Sequence, residues 1–355
     1  MSGTSLDGID LAEVKFELSS APLSHHSSSG SEGNTWNFEI LKAETIPYSS
    51  FWKNELREAI SYSEEQLNRL DFKYTEKLSE EILRFIQRNN IQEIDAICSH
   101  GHTILHRPEK GFTFQIGNLP RLAKVISRTV VCDFRTQDVK MGGQGAPLVP
   151  IGDRLLFSEY DYCLNLGGFA NISSEIDGHR IAYDICPVNI VLNRYAETLG
   201  KEFDEGGNWA RTGAINSILL KKLNDLPFYS ESPPKSLGLE WVRENIFPLL
   251  NSFDIAPEDI LRTFTEHIAI QFANQFPENA FVLISGGGVY NSFLIERLKS
   301  LCLIEVVIPS PEIIEYKEAL IFGLLGVLKL RNEVNCLASV TGAKKDHSSG
   351  EVFTP

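Results

Sequence analysis

Three glycine-rich turns, spread over both halves of the chain, constrain its fold more than any other feature. They read M-S-G-T-S-L-D-G-I-D at residues 1–10, N-L-G-G-F-A-N at 165–171 and S-G-G-G-V-Y-N at 285–291. Glycine lets the backbone bend tightly and approach a ligand closely, which exposes N–H groups to phosphate oxygens. A single turn is weak evidence, because glycine ends strands in many folds, and the first one alone could be a polar hairpin turn. Three turns at strand ends predict a cleft that holds a nucleotide from two sides.

Strand-like and helix-like segments alternate along the chain, which predicts an α/β fold. A length of 355 residues exceeds one ordinary core, so we expect two domains. The first should comprise residues 1–133 plus a returning segment at about 313–343, and the second should span 134–312, with 344–355 as a flexible tail. The Ser/Gly-rich residues 19–35 separate two alternating segments, which predicts a β-hairpin with a long mobile loop.

Charge, hydropathy and cysteine content disfavour several classes of function. The net charge of −14 disfavours nucleic acid and anionic lipid as partners. No apolar run approaches the roughly 20 residues that a membrane helix needs, and glycines interrupt the longest one at 319–330. Six scattered cysteines without a C-x-x-C pair indicate buried, reduced thiols and a cytoplasmic location. The turn at 285–291 lacks the G-x-G-x-x-G order, so a dinucleotide site is poorly supported.

Several motifs, in order along nearly the whole chain, resemble those of the anhydro-N-acetylmuramic acid kinase family. Besides the three turns these are S-H-G-H-T, D-F-R-T-Q-D-V-K, M-G-G-Q-G-A-P-L-V-P and the final A-S-V-T-G-A. The resemblance implies a two-domain, actin-like (RNase H-like) ATPase fold with an interdomain nucleotide cleft. It also implies ATP and Mg²⁺ as cofactors and a small anhydro-amino-sugar as substrate. The implied reaction opens the 1,6-anhydro ring with water and phosphorylates O6, giving N-acetylmuramic acid 6-phosphate and ADP in cell-wall recycling.

The turns and the resemblance together indicate which residues bind ATP. Asp7 cannot itself hold phosphate, so we expect it beside Mg²⁺. A side chain added at Gly286 is expected to occupy the place of the adenosine. The predicted ATP-binding residues are Gly3, Thr4, Ser5, Asp7, Gly8, Asn165, Gly167, Gly168, Asn171, Gly286, Gly287, Gly288 and Asn291.

Asp184 matches the catalytic aspartate of the family, which would act as the base that activates water. A carboxylate in a closed site can have its pKa raised by desolvation, towards a useful general base. The alternative is structural: Asp184 could cap the helix that follows Pro187. The sequence departs from the family here, since I-C-P-V-N follows Asp184 in place of T-G-P-G-N. That departure leaves the fold and nucleotide binding as expected but puts the identity of the sugar in question.

The resemblance also indicates residues that contact the sugar: His100, His102, Arg135, Asp138, Gly142, Gly143 and Glu318. Arg135 suits a bidentate grip on a carboxylate, although an interdomain ion pair is an equal alternative. Glu318 reaches the sugar or favours the N-terminus of a helix predicted over 316–330. The H-x-H-x-x-x-H spacing of His100, His102 and His106 is compatible with a metal, but no carboxylate or cysteine supports it nearby.

Two other functions stay open at this point. The chain could be an actin-fold kinase for another sugar or acid, or a non-catalytic nucleotide-binding protein. The assembly state considered besides a monomer is a homodimer. The first phosphate turn comes almost at residue 1, whereas actin-like domains place a full strand before it. A shortened start would remove that strand and weaken the first phosphate site.

Overall fold

The computed structural model describes residues 1–3, 6–19 and 35–355. These fall into two compact units, Met1–Phe157 with Tyr316–Pro355 (unit 1) and Ser158–Glu315 (unit 2). Both contain strands and helices, so the predicted α/β class is confirmed. The loop predicted within 19–35, apart from its two end residues, lies outside the described residues, as do Thr4 and Ser5.

The strands pair into sheets within each unit. In chain order they are β1 (Gly8–Ser19), β2 (Thr35–Pro47), β3 (Ile97–Cys98), β4 (His102–Arg107), β5 (Phe112–Ile116), β6 (Val130–Cys132), β7 (Tyr162–Leu166), β8 (Phe169–Ile176), β9 (His179–Pro187), β10 (Ala280–Ser285), β11 (Ile304–Val307) and β12 (Glu351–Phe353).

The helices range from single turns to 25 residues. They are α1 (Ser50–Glu58), α2 (Glu64–Arg88), α3 (Arg121–Ile126), α4 (Thr136–Lys140), α5 (Pro150–Leu156), α6 (Asn189–Thr198), α7 (Asn208–Thr212), α8 (Ser217–Asn224), α9 (Leu239–Trp241), α10 (Phe247–Asn251), α11 (Pro257–Ala273), α12 (Ser292–Leu301), α13 (Pro311–Leu330) and α14 (Ala338–Thr341).

Unit 1 combines small sheets with the long helix α2. β1 and β2 pair antiparallel, which confirms the two strands predicted from the alternating sequence. β6 pairs with β3 in parallel and with β12 antiparallel. A capping box formed by Ser63 and Gln66 begins α2. Leu70, Tyr74 and Leu78, which recur at helical spacing, pack on one face of α2 into the core of the unit.

Unit 2 is built on one five-stranded sheet in the order β11-β10-β7-β8-β9. β10 pairs in parallel with both β7 and β11, while β8 runs antiparallel to β7 and β9. One reversed strand in this order is the arrangement of an RNase H-like half of an actin-like fold. Buried residues of β7, β8, β10, α11 and α12 form its core.

The boundaries of the units differ from the predicted ones, and side-chain packing explains why. Residues 134–157 belong to unit 1 because α5 packs against α13. A Cβ added at Gly152 would meet the side chain of Ile321 at 2.5 Å, and Lys317 pairs with Asp153 at 2.7 Å. At the other boundary, Tyr290 donates a hydrogen bond to Glu315, which keeps the start of α13 with unit 2.

The C-terminal residues 344–355 also differ from the flexible tail that was expected. β12 pairs with β6 in the register Glu351 to Cys132. The Ser349 hydroxyl, which is buried, donates to the Phe134 carbonyl at 2.7 Å. Polar composition suggested fraying, but paired backbone groups hold this segment in the sheet of unit 1. Within the described ranges, no helix combines the length and apolarity that a bilayer span requires.

Candidate active site

Two of the three predicted turns lie at the same edge of the sheet of unit 2. In the parallel pair of β7 and β10, Asn165 is the partner of Ser285, and each strand ends in its glycine-rich turn within one residue of that pair. Ligands in open α/β sheets bind outside the carboxyl ends of the parallel strands. The edge formed by 165–171 and 285–291 is therefore a candidate ligand site.

The glycines of the 285–291 turn differ in what surrounds them. Gly286 has φ +83°, and a Cβ there would lie 2.6 Å from Asn165 Oδ1 and 2.8 Å from the Leu166 carbonyl oxygen. A Cβ at Gly288 would lie 2.8 Å from Leu166 Cβ. Gly287 has no atom within 4 Å of its Cβ position. Gly286 and Gly288 thus pack one turn against the other, and Gly287 is the position open to a ligand.

Backbone hydrogen bonds hold the other turn. The Gly168 carbonyl accepts from Val188 N–H at 2.8 Å, and the Gly167 carbonyl accepts from Asn189 N–H at 3.3 Å. The Cβ positions of Gly167 and Gly168 meet nothing closer than 3.4 Å. Asn291 has a structural task, because its Oδ1 accepts from Leu294 N–H at 3.0 Å and caps α12.

Asp184 lies near the carboxyl end of β9, directly opposite Asn171 on β8. Its Oδ2 accepts a hydrogen bond from Leu237 N–H at 2.8 Å. The side chain is partly buried, and desolvation raises the pKa of the carboxyl, while the Leu237 hydrogen bond opposes that shift. The capping alternative is not supported: Val188 is the N-cap residue of α6, and no side chain caps that helix.

The residues that replace the family pattern after Asp184 face the core of unit 2. Ile185 and Cys186 are almost completely buried. Val188 is also fully buried, and its φ of −128° and ψ of −97° lie outside the usual helical and extended regions. The departure is therefore accommodated by packing beneath the strand, whereas Asp184 keeps its position opposite Asn171.

In unit 1, Arg135 and His100 form a fixed pair. Arg135 Nε donates to His100 Nε2 at 2.9 Å, and Arg135 Nη1 donates to the Gly145 carbonyl at 2.6 Å. Because His100 Nε2 accepts, its Nδ1 carries the proton and donates to the Gly101 carbonyl at 3.0 Å. Desolvation and the charge of Arg135 hold the pKa of His100 well below its ordinary value, so the ring is neutral.

Glu318 lies in the same unit as Arg135. Its side chain is exposed to solvent, and desolvation raises the pKa of its carboxyl, a shift that the charge of Arg135 opposes. The helix-terminus alternative is not supported, because α13 begins at Pro311 and the helix dipole acts mainly within the first turn.

His102 and His106 do not join His100 in a metal cluster. His102 Nδ1 lies 2.9 Å from Ser2 Oγ, which contacts Tyr48 in a buried polar chain. Desolvation lowers the pKa of His102 to about 4. His106 Nδ1 contacts Thr113 instead. Among the described residues, the cluster suited to a metal is a different one, Asp138 with Cys336 and His347.

Asp138 and the loop that contains Gly142 and Gly143 form one internal unit. Asp138 is fully buried, and its Oδ2 accepts from Gly145 N–H at 2.6 Å. A Cβ added at Gly143 would collide with that carboxylate, whereas Gly142 has open space around it. Contact of Asp138 with a sugar stays a prediction; its observed contacts favour support of the glycine loop.

The turn nearest the N-terminus is described in part. Gly8 begins β1, where a Cβ would collide with the Ile46 carbonyl on the paired strand, so close strand approach accounts for this glycine. Asp7 is exposed, and its carbonyl accepts from Tyr48 N–H at 3.2 Å. The Gly3 carbonyl accepts from Leu6 N–H at 3.3 Å.

The segment around Leu237 was missed by the sequence analysis. Leu237 donates to Asp184, and the Lys235 carbonyl accepts from Asp184 N–H at 3.0 Å. The stretch contains no glycine-rich or carboxylate motif, and it lies about fifty residues beyond Asp184. Its contribution is a backbone N–H group, which any residue except proline supplies.

Sequence similarity to known proteins extends over nearly the whole chain. A family model described as "Anhydro-N-acetylmuramic acid kinase" matches residues 1–355. The anhydro-N-acetylmuramic acid kinase of Mannheimia succiniciproducens is 33% identical over 381 residues, covering 99% of this chain and 97% of that relative. The enzyme of the same name from Pseudomonas syringae pv. syringae is 34% identical over 373 residues, with coverages of 99% and 97%. The activator of 2-hydroxyisocaproyl-CoA dehydratase from Clostridium difficile, solved with ADPNP, aligns with 49% of this chain and 66% of that one at 14% identity, with a TM-score of 0.31.

Proposed function

The chain belongs to the anhydro-N-acetylmuramic acid kinase family, and we propose that it phosphorylates O6 of 1,6-anhydro-N-acetylmuramic acid with ATP while water opens the anhydro ring. Water adds to the anomeric carbon C1, the C1–O6 bond breaks, and O6 takes the γ-phosphoryl group. A base accepts the proton of the water. The proposed products are N-acetylmuramic acid 6-phosphate and ADP, and the proposed role of the reaction is in cell-wall recycling.

The position of Asp184 is the observation that carries this proposal. The carboxyl lies opposite Asn171, on a strand that ends at the same sheet edge as the glycine-rich turns. One oxygen is held by Leu237 N–H, and the other has no hydrogen-bond donor among the described residues. Desolvation raises its pKa, which makes the carboxylate a stronger base. A held, desolvated carboxylate of this kind suits the role of general base.

The glycine turns of unit 2 are proposed to receive the nucleotide. Gly287 leaves open space at its Cβ position and that of Gly168 meets nothing closer than 3.9 Å, so phosphate oxygens can approach the backbone there, whereas the Gly167 N–H already donates to the Phe169 carbonyl. Asp7 offers an exposed carboxylate, a hard oxygen donor of the type that Mg²⁺ prefers. Bound Mg²⁺ would neutralise charge on the phosphates.

Arg135 and Glu318 are proposed to contact the sugar. Two nitrogens of Arg135 are held by His100 and Gly145, which fixes the plane of the guanidinium. A fixed guanidinium binds a carboxylate such as the lactyl group with little further loss of side-chain entropy. Glu318 supplies an acceptor for sugar hydroxyl groups. Ile185, Cys186 and Val188, which belong to the stretch that departs from the family pattern, are buried and therefore do not present their side chains to a ligand.

A coupled assay of ADP release tests the proposal. The protein with Mg-ATP is expected to release ADP when the anhydro-sugar is added and to release little without it. The 6-phosphorylated sugar should form in equal amount, as checked by mass spectrometry. Sugar-dependent ADP release with a non-anhydro amino sugar, and none with the anhydro form, would overturn the proposed substrate.

A further inference from the structure

A cluster of three potential ligands lies inside unit 1, apart from the proposed chemistry. Asp138 comes from α4, Cys336 follows α13, and His347 belongs to the C-terminal segment. A carboxylate oxygen of Asp138, Cys336 Sγ and a ring nitrogen of His347 all lie within 4.8 Å of one another. The exposed fractions of the three residues are 0%, 1% and 7%. None of the six cysteines of the chain is in a disulfide, so Cys336 is available as a thiol.

His347 points an unsatisfied nitrogen at the carboxylate. Its Nδ1 lies 3.1 Å from the Lys345 carbonyl, which can only accept, so Nδ1 carries the proton. The lone pair of Nε2 then faces Asp138 Oδ1 at 3.6 Å. Nε2 is buried and has no hydrogen-bond partner. Two lone-pair groups that face each other away from water require a cation or a proton between them.

The backbone holds these ligands in place without a metal. Cys336 and His347 form an isolated antiparallel bridge, with N–H···O contacts of 3.1 Å in both directions. The side chain of the preceding Asn335 bonds to both backbone groups of Ser349. Asp138 is held by Gly145 N–H on one oxygen and by the Thr341 hydroxyl at 2.7 Å on the other. A site of this kind is preorganised.

We infer that Asp138, Cys336 and His347 form a Zn²⁺ site. Thiolate, imidazole and carboxylate are the three ligand types that zinc takes in proteins, and thiolate disfavours Mg²⁺ and Ca²⁺. One thiolate, one carboxylate and one neutral imidazole cancel the charge of the ion, which suits a buried site. A water molecule completes the tetrahedral set. On binding, the Cys336 thiol releases its proton to solvent.

The role of the metal would be to join the C-terminal segment to the glycine loop. Gln144 N–H donates to the Thr341 carbonyl at 2.8 Å, and Lys344 N–H donates to the Met141 carbonyl at 3.3 Å. The Gly145 carbonyl in turn accepts from Arg135. A metal at Asp138 therefore stiffens the loop that orients Arg135, whatever substrate the protein takes.

The competing account is a cluster that shares protons and binds no metal. The Cys336 thiol lies 3.1 Å from Asp138 Oδ1 and can donate to it. Desolvation, together with this hydrogen bond, raises the pKa of that thiol. To bind, zinc must displace the proton of a thiol whose pKa is raised. The two accounts therefore differ in a measurable quantity, the amount of metal bound.

Metal content and thermal unfolding of the full chain decide between them. Untagged protein, kept reduced, is stripped with a chelator and then equilibrated with zinc sulfate and dialysed. We expect about one Zn²⁺ per chain and a higher Tm in the zinc-loaded protein, because a ligand of the folded state stabilises it. Cobalt(II) loaded in the same way should show the visible absorption of a tetrahedral thiolate complex.

Matched cysteine variants identify the ligand. Cys336→Ser should lose the cobalt–thiolate band and bind zinc at least about tenfold more weakly. Cys132→Ser is the control, since Cys132 is also buried in unit 1 but lies outside the cluster; it should keep both. If Cys336→Ser does not fold, His347→Gln tests the second ligand by the same readouts. Folded wild-type protein that retains no zinc and shows no cobalt–thiolate band would overturn the site, as would equal zinc binding by wild type and Cys336→Ser.

Discussion

The two units hold their predicted site residues in opposite ways. In unit 2 the residues around the sheet edge are mostly glycines, placed by backbone hydrogen bonds and by close packing of Gly286 on Leu166. In unit 1 the predicted sugar-binding residues other than Gly142 and Gly143 are charged or titratable side chains, placed by side-chain hydrogen bonds such as Arg135 to His100. A substitution at a glycine of unit 2 should therefore affect ligand binding by changing the shape of the turn. A substitution in unit 1 should affect it by changing the charge or the hydrogen bonds of a side chain. Asp184 is the exception in unit 2, because it is a titratable side chain at a sheet edge where most predicted site residues are glycines.

The largest expected effect is the loss of turnover on replacing Asp184. Asp184→Asn keeps the size of the side chain, and its amide oxygen can still accept from Leu237 N–H. What is lost is the proton acceptor, and general base catalysis contributes about 10²–10⁴ in rate. We expect the turnover number to fall by that factor with the ATP-induced rise in Tm unchanged. Wild-type turnover in this variant would move the base to another residue, with Glu318 the first candidate.

Arg135→Lys tests the charge-based half of the comparison. Lysine keeps the positive charge but cannot donate to both His100 and Gly145 in the planar geometry of arginine. Hydrogen bonds of charged groups contribute about 1.5–3 kcal/mol each, so the KM for the sugar should rise roughly 10- to 100-fold. The Mg-ATP thermal shift should stay at the wild-type value. A variant that loses the ATP shift and keeps its KM for the sugar would reverse the assignment of the two units.

Gly286→Val and Gly287→Val form a matched pair for the shape-based half. Valine at Gly286 would press on Asn165 and Leu166 at a φ of +83°, so it should destabilise the fold by about 1–3 kcal/mol. A loss of ATP binding in Gly286→Val would then result from distortion of the turn. This cause differs from the expectation from sequence, in which the added side chain occupies the place of the adenosine. Gly287→Val, with open space around its Cβ, should keep the wild-type Tm without ligand and lose the Mg-ATP shift. Equal destabilisation by both variants would contradict the difference in surroundings.

The smallest effect concerns pH and stability. Desolvation raises the pKa of Asp184 in the folded state, so the folded protein binds this proton more tightly than the unfolded chain. The charged carboxylate therefore costs stability above the raised pKa, and this cost disappears as pH falls through it. Asp184→Asn should have a Tm above that of wild type at pH 7, with the difference shrinking towards acid pH. A difference that grows towards acid pH would contradict a raised pKa.

The sequence by itself determined the α/β class, the strands of the β1–β2 hairpin and the family. These depend on local periodicity and on the order of motifs, which a linear chain displays directly. It also identified Asp184 and the glycine turns as candidates, but it left open whether Asp184 caps a helix.

Only the tertiary structure decided what each candidate touches. The start of α13 at Pro311 separates Glu318 from the helix terminus, and the Cβ surroundings distinguish Gly286 from Gly287. Asp138 and His347 are 209 positions apart and carry no shared motif, yet they face each other at 3.6 Å. The tail that composition marked as flexible is paired with β6. Such contacts depend on packing and backbone pairing between residues that lie far apart in the chain. Local periodicity in the sequence does not indicate them.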